Sequence, residues 1–226
     1  MTNVLNHLDW SFLVNILLTV IPALVCITLH ELSHGLVAYK LGDPTAKNAG
    51  RLTLNPIKHI DIMGLLMMLI ARFGWAKPVP VDMRYFKNPK RGMAVTALAG
   101  PVSNVLIAAV AFALYGGVFD ALRKSGVGQV ILEIIYTTGY LSLALALFNL
   151  IPIPPLDGSK VLFSLLPDRA YGKLLRYERY GSILLLLIVV LGVTRGPLQQ
   201  ATSYLVQQFL HISVWMNSLI SGLVNR

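Results

Sequence analysis

Two histidines and a glutamate lie close together in the stretch ITLHELSHGLVAY. On an α-helix, His30 and His34 lie on one face about one turn apart, a spacing that suits two ligands of one zinc ion. Glu31 stands beside them, close enough to reach a metal-bound water without being a ligand itself, as a general base requires. This HExxH pattern predicts a zinc site equipped for hydrolysis.

The setting of this cluster strengthens the prediction. The chain contains only five histidines, so chance is a weak explanation for the pattern. An ionised side chain near the centre of an apolar membrane helix costs about 2.5–3.5 kcal/mol, and a bound metal ion would compensate for three such groups. Two alternatives stay open: a hydrogen-bonded polar cluster that holds helices together, or a zinc site without activity.

A third metal ligand has to come from elsewhere in the chain, because catalytic zinc takes three protein ligands and keeps its fourth position for water. The apolar regions offer Glu133 and Asp157. Asp157 lies just beyond the end of its apolar run, at the depth expected for His34. Glu133 lies near the opposite end, and the helix from Glu133 to Asn149 would be about 24 Å long. Asp157 is therefore the predicted third ligand, and Glu133 a partnered structural acid.

The sequence around Asp157 is irregular. In FNLIPIPPLDGSK, Pro152, Pro154 and Pro155 end the preceding helix, and Gly158 lets the backbone turn sharply. Taken alone, PPLDG is equally typical of a turn where a chain leaves the membrane. The HExxH pattern, which lacks a third ligand, favours metal binding by the carboxylate.

The composition places these residues in a membrane protein. Of the 226 residues, 55% are hydrophobic and only 13% are charged, and the mean hydropathy is +0.66, which is too apolar for one water-soluble domain. Cys26 is the only cysteine, which excludes a cysteine-based zinc site. We expect an all-α polytopic membrane protein, a transmembrane helix bundle with at least four crossings of a layer about 30 Å thick. Its apolar runs are residues 11–29, 92–119, 126–156 and 180–194.

Between the first two runs the pattern changes. Residues 62–70 are apolar but too few to cross a membrane. Residues 50–60 and 74–81 mix apolar side chains with Gly and Pro, which predicts extended strands, a re-entrant loop or a β-hairpin near the active site. Residues 198–223 are amphipathic and either lie on the membrane or cross it. We expect one membrane-embedded domain over residues 1–226, with a catalytic core at about 11–165 and C-terminal helices at 166–226.

The net charge of +9 points to a membrane surface and not to nucleic acid. Most of the basic residues lie in two segments beside apolar runs, residues 72–91 and 167–179, where anionic lipid is the simpler partner. Both segments should be cytoplasmic by the positive-inside rule. We therefore expect a multi-pass protein of the cell membrane, with its active site toward the cytoplasmic side and no nucleic-acid partner.

HELSHG together with NLIPIPPLDG resembles the site-2 protease family of intramembrane zinc metalloproteases, in its short bacterial and archaeal branch. The resemblance covers about residues 25–165. It implies that His30, His34 and Asp157 bind one zinc ion per chain, with Glu31 as the general base. Asn149 matches the family's asparagine, which is thought to hold the substrate or the developing oxyanion. A polar cap at the end of a helix is the other explanation for Asn149.

Further segments resemble the same family. AGPVSN, residues 99–104, is similar to its small-residue element, and GRLTLNP and GWAKPVPV are similar to its re-entrant strands. Gly100, Ser103 and Asn104 are equally explained by close helix packing with polar contacts, so a catalytic role for Asn104 stays open.

The implied reaction is hydrolysis of peptide bonds within or next to transmembrane segments of membrane protein substrates, as in regulated intramembrane proteolysis. A metal-binding transporter or channel is the main competing class, since intramembrane His and acidic residues also mark ion pathways. The absence of an inverted sequence repeat argues against it. A pseudoprotease that binds transmembrane segments without cutting them is a third class, against which the complete HExxH and Asp157 argue. The sequence leaves open whether copies of the chain form a homo-oligomer.

Overall fold

The computed structural model describes the backbone of residues 10–64 and 75–224, and the chain is predominantly helical there. Two 3-10 helices, Pro56–His59 and Met83–Tyr85, lie between the longer helices. The α-helices are α1 (Trp10–Lys40), α2 (Thr45–Asn48), α3 (Pro89–Leu122), α4 (Gly126–Asn149), α5 (Asp157–Ser164), α6 (Asp168–Val190) and α7 (Arg195–Val224).

Three of the described helices are long and apolar enough to cross a membrane. They are Leu18–Lys40 within α1, the whole of α3 and the whole of α4. Many large apolar side chains of α3 face away from the bundle, including Leu106 and Val110, which are 62% and 59% exposed, and an apolar surface of this extent suits contact with lipid. These features confirm the predicted all-α polytopic membrane fold.

The ends of α3 and α4 follow from local sequence. Asn88 accepts a hydrogen bond from the backbone N–H of Arg91 and caps the start of α3, where Pro89 occupies the first turn. Ser125 caps α4 in the same way. α4 ends at Asn149, earlier than the apolar run to residue 156, because the prolines of residues 152–155 cannot continue a helix.

The C-terminal helices form a bent pair. Residues 180–190 of α6 and 195–223 of α7 meet at 82°, at a break where Gly192 adopts a φ of 71°. The predicted minimum of four crossings is reached only if this pair counts as one span. α7 lies against α3 and α4, so residues 198–223 are part of the bundle.

The core of the bundle forms around α3, which contacts α1, α4, α5 and α7. Phe112 of α3 and Leu143 of α4 are fully buried, and Val206 of α7 closes the same cluster. Gly116 lets α7 approach closely, because a Cβ there would lie 2.0 Å from the backbone oxygen of Ser213. α3 is thus the helix against which the other elements are placed.

Residues 50–82 contain less strand pairing in their described part than the sequence predicted. Among the described residues they form no strand, and residues 56–59 fold as a 3-10 helix. One antiparallel bridge joins Ile60 to Ala76, beside a 2.9 Å hydrogen bond from the N–H of Lys77 to the carbonyl of His59. Most of the predicted re-entrant segment, residues 65–70, lies outside the described residues, so the re-entrant loop stays a prediction.

Candidate metal centre

α1 carries both histidines of the HExxH pattern to the inside of the bundle. His30 is 4% exposed and His34 is 8% exposed. Their Nε2 atoms lie 3.0 Å apart, and the two rings meet edge to face. The four-residue spacing on a helix therefore does bring the two imidazoles to one point, as the sequence predicts.

Asp157, the first residue of α5, lies against the same two nitrogens. Its Oδ2 is 3.2 Å from Nε2 of His30 and 3.1 Å from Nε2 of His34. Gly158 permits this placement, because a Cβ at that position would lie 2.3 Å from the carbonyl oxygen of Leu150. The chain that leaves α4 thus folds back so tightly that only glycine fits next to the carboxylate.

The three atoms are arranged as ligands of one ion. Oδ2 of Asp157 is buried and makes no hydrogen bond with good geometry among the described residues, although both imidazoles are close. The two imidazole nitrogens and this oxygen lie within 3.2 Å of one another and converge on a common point. Tetrahedral zinc with bonds of about 2.0–2.1 Å holds its ligand atoms about 3.3 Å apart, close to the separations found here. His30, His34 and Asp157 could hold a metal ion, and zinc fits this donor set.

The far nitrogen of each histidine contacts α3. Nδ1 of His34 lies 2.7 Å from the carbonyl oxygen of Thr96. A carbonyl only accepts, so Nδ1 of His34 carries the proton and Nε2 presents its lone pair to the metal position. Nδ1 of His30 lies 3.1 Å from the amide of Asn104. Both rings are thereby fixed from behind.

Gly100 lies between these two contacts on α3. A Cβ at Gly100 would stand 2.5 Å from Cε1 of His30 and 2.5 Å from Nε2 of His34. Such distances are far below van der Waals contact, so any side chain would push into the metal position. Gly100 is therefore required for the approach of α3 to the histidines, beyond the general packing role considered from sequence.

Charge at the site favours an ionised carboxylate. Burial by itself would raise the pKa of Asp157, but hydrogen bonds from the imidazoles of His30 and His34 when they are protonated on Nε2, and then the nearby ammonium of Lys160, hold that pKa well below its usual range. Nζ of Lys160 lies 3.7 Å from Oδ1, the oxygen that does not face the histidines. Asp157 is thus negatively charged at neutral pH, as a metal ligand must be.

Glu31 lines a cavity of about 320 Å³ next to the three candidate ligands. Its Oε2 accepts a 2.9 Å hydrogen bond from the backbone N–H of Val79. The guanidinium of Arg51 donates to the carbonyl oxygens of Lys77 and Pro78, at 2.6 and 3.1 Å, and holds the segment that contains Val79 in place. The carboxylate of Glu31 is therefore oriented by the backbone and not by a second side chain.

The other acidic and amide residues considered from sequence lie in different places. Asn149 lines the same cavity, and its Nδ2 donates to the carbonyl of Leu145 at 3.0 Å. Glu133 is exposed on α4 and is not part of the cavity. Among the described residues, Glu133 forms no hydrogen bond and no ion pair, so the expected partnered acid is not seen.

Sequence reasoning missed several contributors to this site. Thr96 and Val79 act through backbone groups, which leave no trace in residue type. Lys160 follows Asp157 by one helical turn, and that spacing alone gives it no special role. The spacing of Thr96, Gly100 and Asn104, four residues apart in each case, did contain a usable signal, because it places all three on one face of α3.

Known proteins match this chain over most of its length. The model of peptidase family M50 matches residues 17–195. A Bacillus subtilis protein named "Putative zinc metalloprotease YwhC" is 45% identical over 177 residues, which cover 76% of this chain and 79% of that protein. "Putative zinc metalloprotease Rip2" of Mycolicibacterium smegmatis is 28% identical over 174 residues, 74% of this chain and 64% of that protein. No solved structure matches the chain.

These matches and the sequence resemblance agree. The family model covers the HExxH pattern, the Gly100 element and Asp157, which are the parts that meet at the metal centre. The chain therefore belongs to peptidase family M50, the site-2 protease family of zinc metalloproteases.

Proposed function

We propose that this protein is an intramembrane protease that hydrolyses peptide bonds within or next to the transmembrane segments of membrane protein substrates. His30, His34 and Asp157 hold one zinc ion per chain. The observation that carries the proposal is the convergence of their ligand atoms, all within 4.8 Å of one another, beside helices long and apolar enough to cross a membrane. Membership of the M50 family supplies the reaction class.

Glu31 moves the protons of the reaction. Zinc, when bound, supplies Lewis-acid polarisation of the scissile carbonyl and lowers the pKa of water. Glu31 takes the proton from the attacking water and delivers it to the leaving amine. The N–H of Val79 bonds to Oε2 and orients the carboxylate for this transfer.

Asn149 binds the substrate or the oxyanion that develops on the scissile carbonyl. It lines the cavity together with Glu31 and Asp157. Its amide has two N–H donors, and the bond to Leu145 uses one of them. The second donor is available to an oxygen in the cavity, as transition-state stabilisation requires.

The substrate has to be extended at the cleavage site, because a helix hides its carbonyls in hydrogen bonds. Residues 76–81 form no helix, and the prolines at positions 78 and 80 favour extended backbone at Lys77 and Val79. Pro78, Val79 and Val81 line the cavity. This segment pairs with the unwound substrate by β-augmentation.

The protein works in the cell membrane, in contact with the lipid bilayer, and its active site lies toward the cytoplasmic side. His34 is near the end of α1, where Lys40 stands in the last turn. Asp157 precedes the basic segment of residues 167–179 by about three helical turns. Both candidate ligands are therefore close to basic residues, which remain on the cytoplasmic side. Residues 1–226 act as one membrane domain.

The experiment that tests this function is Glu31→Gln in the full chain. The variant should keep about one zinc per chain by elemental analysis, since Glu31 is not a ligand, and cleavage should fall by about 100- to 10,000-fold. Membrane proteomes of cells that produce the wild type or the variant identify the substrates, as fragments formed only with the wild type. Fragments that form equally with Glu31→Gln would contradict the role of Glu31. A wild-type chain that binds zinc but yields no fragments would contradict the protease itself.

A further inference from the structure

Asn104 is a fully buried amide of α3 that contacts a candidate zinc ligand. Its side chain is 0% exposed, and its Nδ2 lies 3.1 Å from Nδ1 of His30. Its Oδ1 makes no hydrogen bond among the described residues, although it is buried. Packing between α1 and α3 would not require a polar side chain at this point, and a buried amide with an unpaired oxygen is costly.

We propose that Asn104 is a positioning residue that keeps the proton of His30 on Nδ1, so that Nε2 is free to bind zinc. This inference rests on the proposed metal centre. A histidine that binds a metal through Nε2 has its proton on Nδ1, and that N–H needs an acceptor. Rotating the amide of Asn104 by 180° exchanges its oxygen and nitrogen, and places Oδ1 where it accepts from Nδ1–H. Because Oδ1 has no other partner, no hydrogen bond of that oxygen is lost.

The neighbouring contact on the same helix supports this role. The carbonyl oxygen of Thr96 accepts from Nδ1 of His34 at 2.7 Å. Thr96, Gly100 and Asn104 are spaced by four residues and lie on one face of α3. That face presents an acceptor for each histidine, with Gly100 between them, where both imidazoles fit. α3 thus accepts a hydrogen bond from the Nδ1–H of each histidine, through the backbone carbonyl of Thr96 for His34 and through the side chain of Asn104 for His30.

Two substitutions separate positioning from packing. Asn104→Leu keeps a similar volume but removes the acceptor, and loss of such a partner lowers metal affinity by about 10- to 100-fold. Asn104→Asp supplies a carboxylate, which can only accept, and the Nδ1–H of His30 pairs with it. If Asn104 merely packs helices together, an unpaired carboxylate would be the more harmful change. Positioning therefore predicts near wild-type zinc affinity for Asp and weak affinity for Leu.

The measurement is zinc affinity of the purified full chain in detergent, from competition with a zinc-binding dye. Ser103→Ala is the matched control, because Ser103 is the neighbouring residue and its hydroxyl donates to the carbonyl of Gly100 without touching a histidine. It should bind zinc like the wild type. Far-UV circular dichroism and melting of the zinc-free proteins show whether each variant is folded.

The outcomes are decisive in each direction. Weak zinc binding by folded Asn104→Leu, restored in Asn104→Asp, supports the proposal. Wild-type affinity in folded Asn104→Leu overturns it. If Asn104→Leu does not fold, Asn104→Asp decides alone: affinity within about threefold of the wild type supports positioning, and a loss of tenfold or more overturns it. Zinc affinity is measured without a substrate, so failure of the proposed proteolysis would be seen separately.

Discussion

The candidate metal centre depends on the glycine at position 100 as much as on its candidate ligands. His30, His34 and Asp157 supply the candidate ligand atoms, but α3 passes directly over the two imidazoles at Gly100. The atoms that a Cβ would meet are ring atoms, held by Thr96 and Asn104 from behind. They are not the flexible ends of side chains, so they cannot move away without disturbing the ligand geometry.

Gly100→Ala should therefore weaken zinc binding. The added methyl group forces the imidazoles or the helix to shift, and overpacking of this kind costs about 1–3 kcal/mol. If that cost falls on the bound state, zinc affinity drops by about 5- to 150-fold. Competition with a zinc-binding dye measures it.

Gly117→Ala is the matched control for that substitution. It makes the same change in the same helix, and its Cβ would have only Met216 at 3.4 Å, an ordinary contact. It should bind zinc like the wild type, and alanine is the better helix former by about 1 kcal/mol. Equal zinc affinity in the two variants would contradict the importance of the Gly100 contact.

For individual residues, the sequence predicted which side chains meet at the candidate metal centre. It did not predict the groups on α3 that hold the two imidazoles. Helical spacing placed His30 and His34 together, and Asp157 was selected because it was expected at the same membrane depth as His34. The carbonyl of Thr96 is a backbone group that every residue possesses, so no residue type marks it. Asn104 is marked by type, but a polar residue between membrane helices is also a common packing contact.

The segment of residues 76–82 orients Glu31 through the N–H of Val79. Arg51 is 6% exposed and holds the carbonyls of Lys77 and Pro78. At the other end, the N–H of Asp82 donates to the buried carboxylate of Asp43 at 2.7 Å. The segment is thus fixed on both sides of Val79, whose N–H bonds to Glu31. The orientation of Glu31, the proposed base, therefore depends on the whole segment and not on one residue.

Val79→Pro should slow cleavage while leaving zinc bound. Proline lacks the N–H that donates to Glu31, and its φ suits the extended backbone between Pro78 and Pro80. A hydrogen bond to a charged group contributes about 1.5–3 kcal/mol, so kcat should fall by about 10- to 150-fold. Turnover of a defined membrane substrate gives the rate, and elemental analysis gives the zinc content.

Val79→Ala separates the N–H from the side chain. It keeps the donor and removes most of the apolar contact with the cavity, so its kcat should stay well above that of Val79→Pro. If both variants lose the same activity, the side chain of Val79 matters and its N–H does not. If Val79→Pro also loses zinc, the segment supports the metal centre as a whole.

Elements with a strong apolar signal were predicted well, and those without one were not. The cores of α1, α3 and α4 follow from their apolar runs, and the prolines after Asn149 decide where α4 ends. Residues 50–60 were expected to be extended, yet Pro56 starts a 3-10 helix that Asn55 caps. Gly and Pro indicate a departure from helix but do not specify which turn or strand replaces it.

The bundle is organised along α3, which contacts the candidate metal centre near one end and the C-terminal helix α7 near the other. Gly100 faces the histidines, and Gly116 faces Ser213 of α7. The two glycines are 16 residues apart, or about 24 Å along the helix. The docking of α7 did not follow from its sequence, because an amphipathic helix with several glutamines suits both a membrane surface and a helix bundle.

Gly116→Val should destabilise the bundle without weakening zinc binding. A Cβ at Gly116 would lie 2.0 Å from the backbone oxygen of Ser213, so α7 has to move away. That shift also strains the 2.6 Å hydrogen bond from Ser213 to the carbonyl of Phe112 and the bond from Asn217 to the carbonyl of Gly116. Overpacking costs about 1–3 kcal/mol, so thermal melting of the zinc-free protein in detergent should occur several degrees lower.

Comparison with Gly100→Ala tests whether the two ends of α3 are independent. Sites more than about 7–10 Å apart that share no partner affect stability additively. Gly116→Val should therefore lower the melting temperature at unchanged zinc affinity, while Gly100→Ala lowers zinc affinity. The double variant should show the sum of the two effects. A loss of zinc affinity in Gly116→Val would instead mean that the seating of α7 sets the position of α3 over the histidines, and that the metal centre depends on the C-terminal helix.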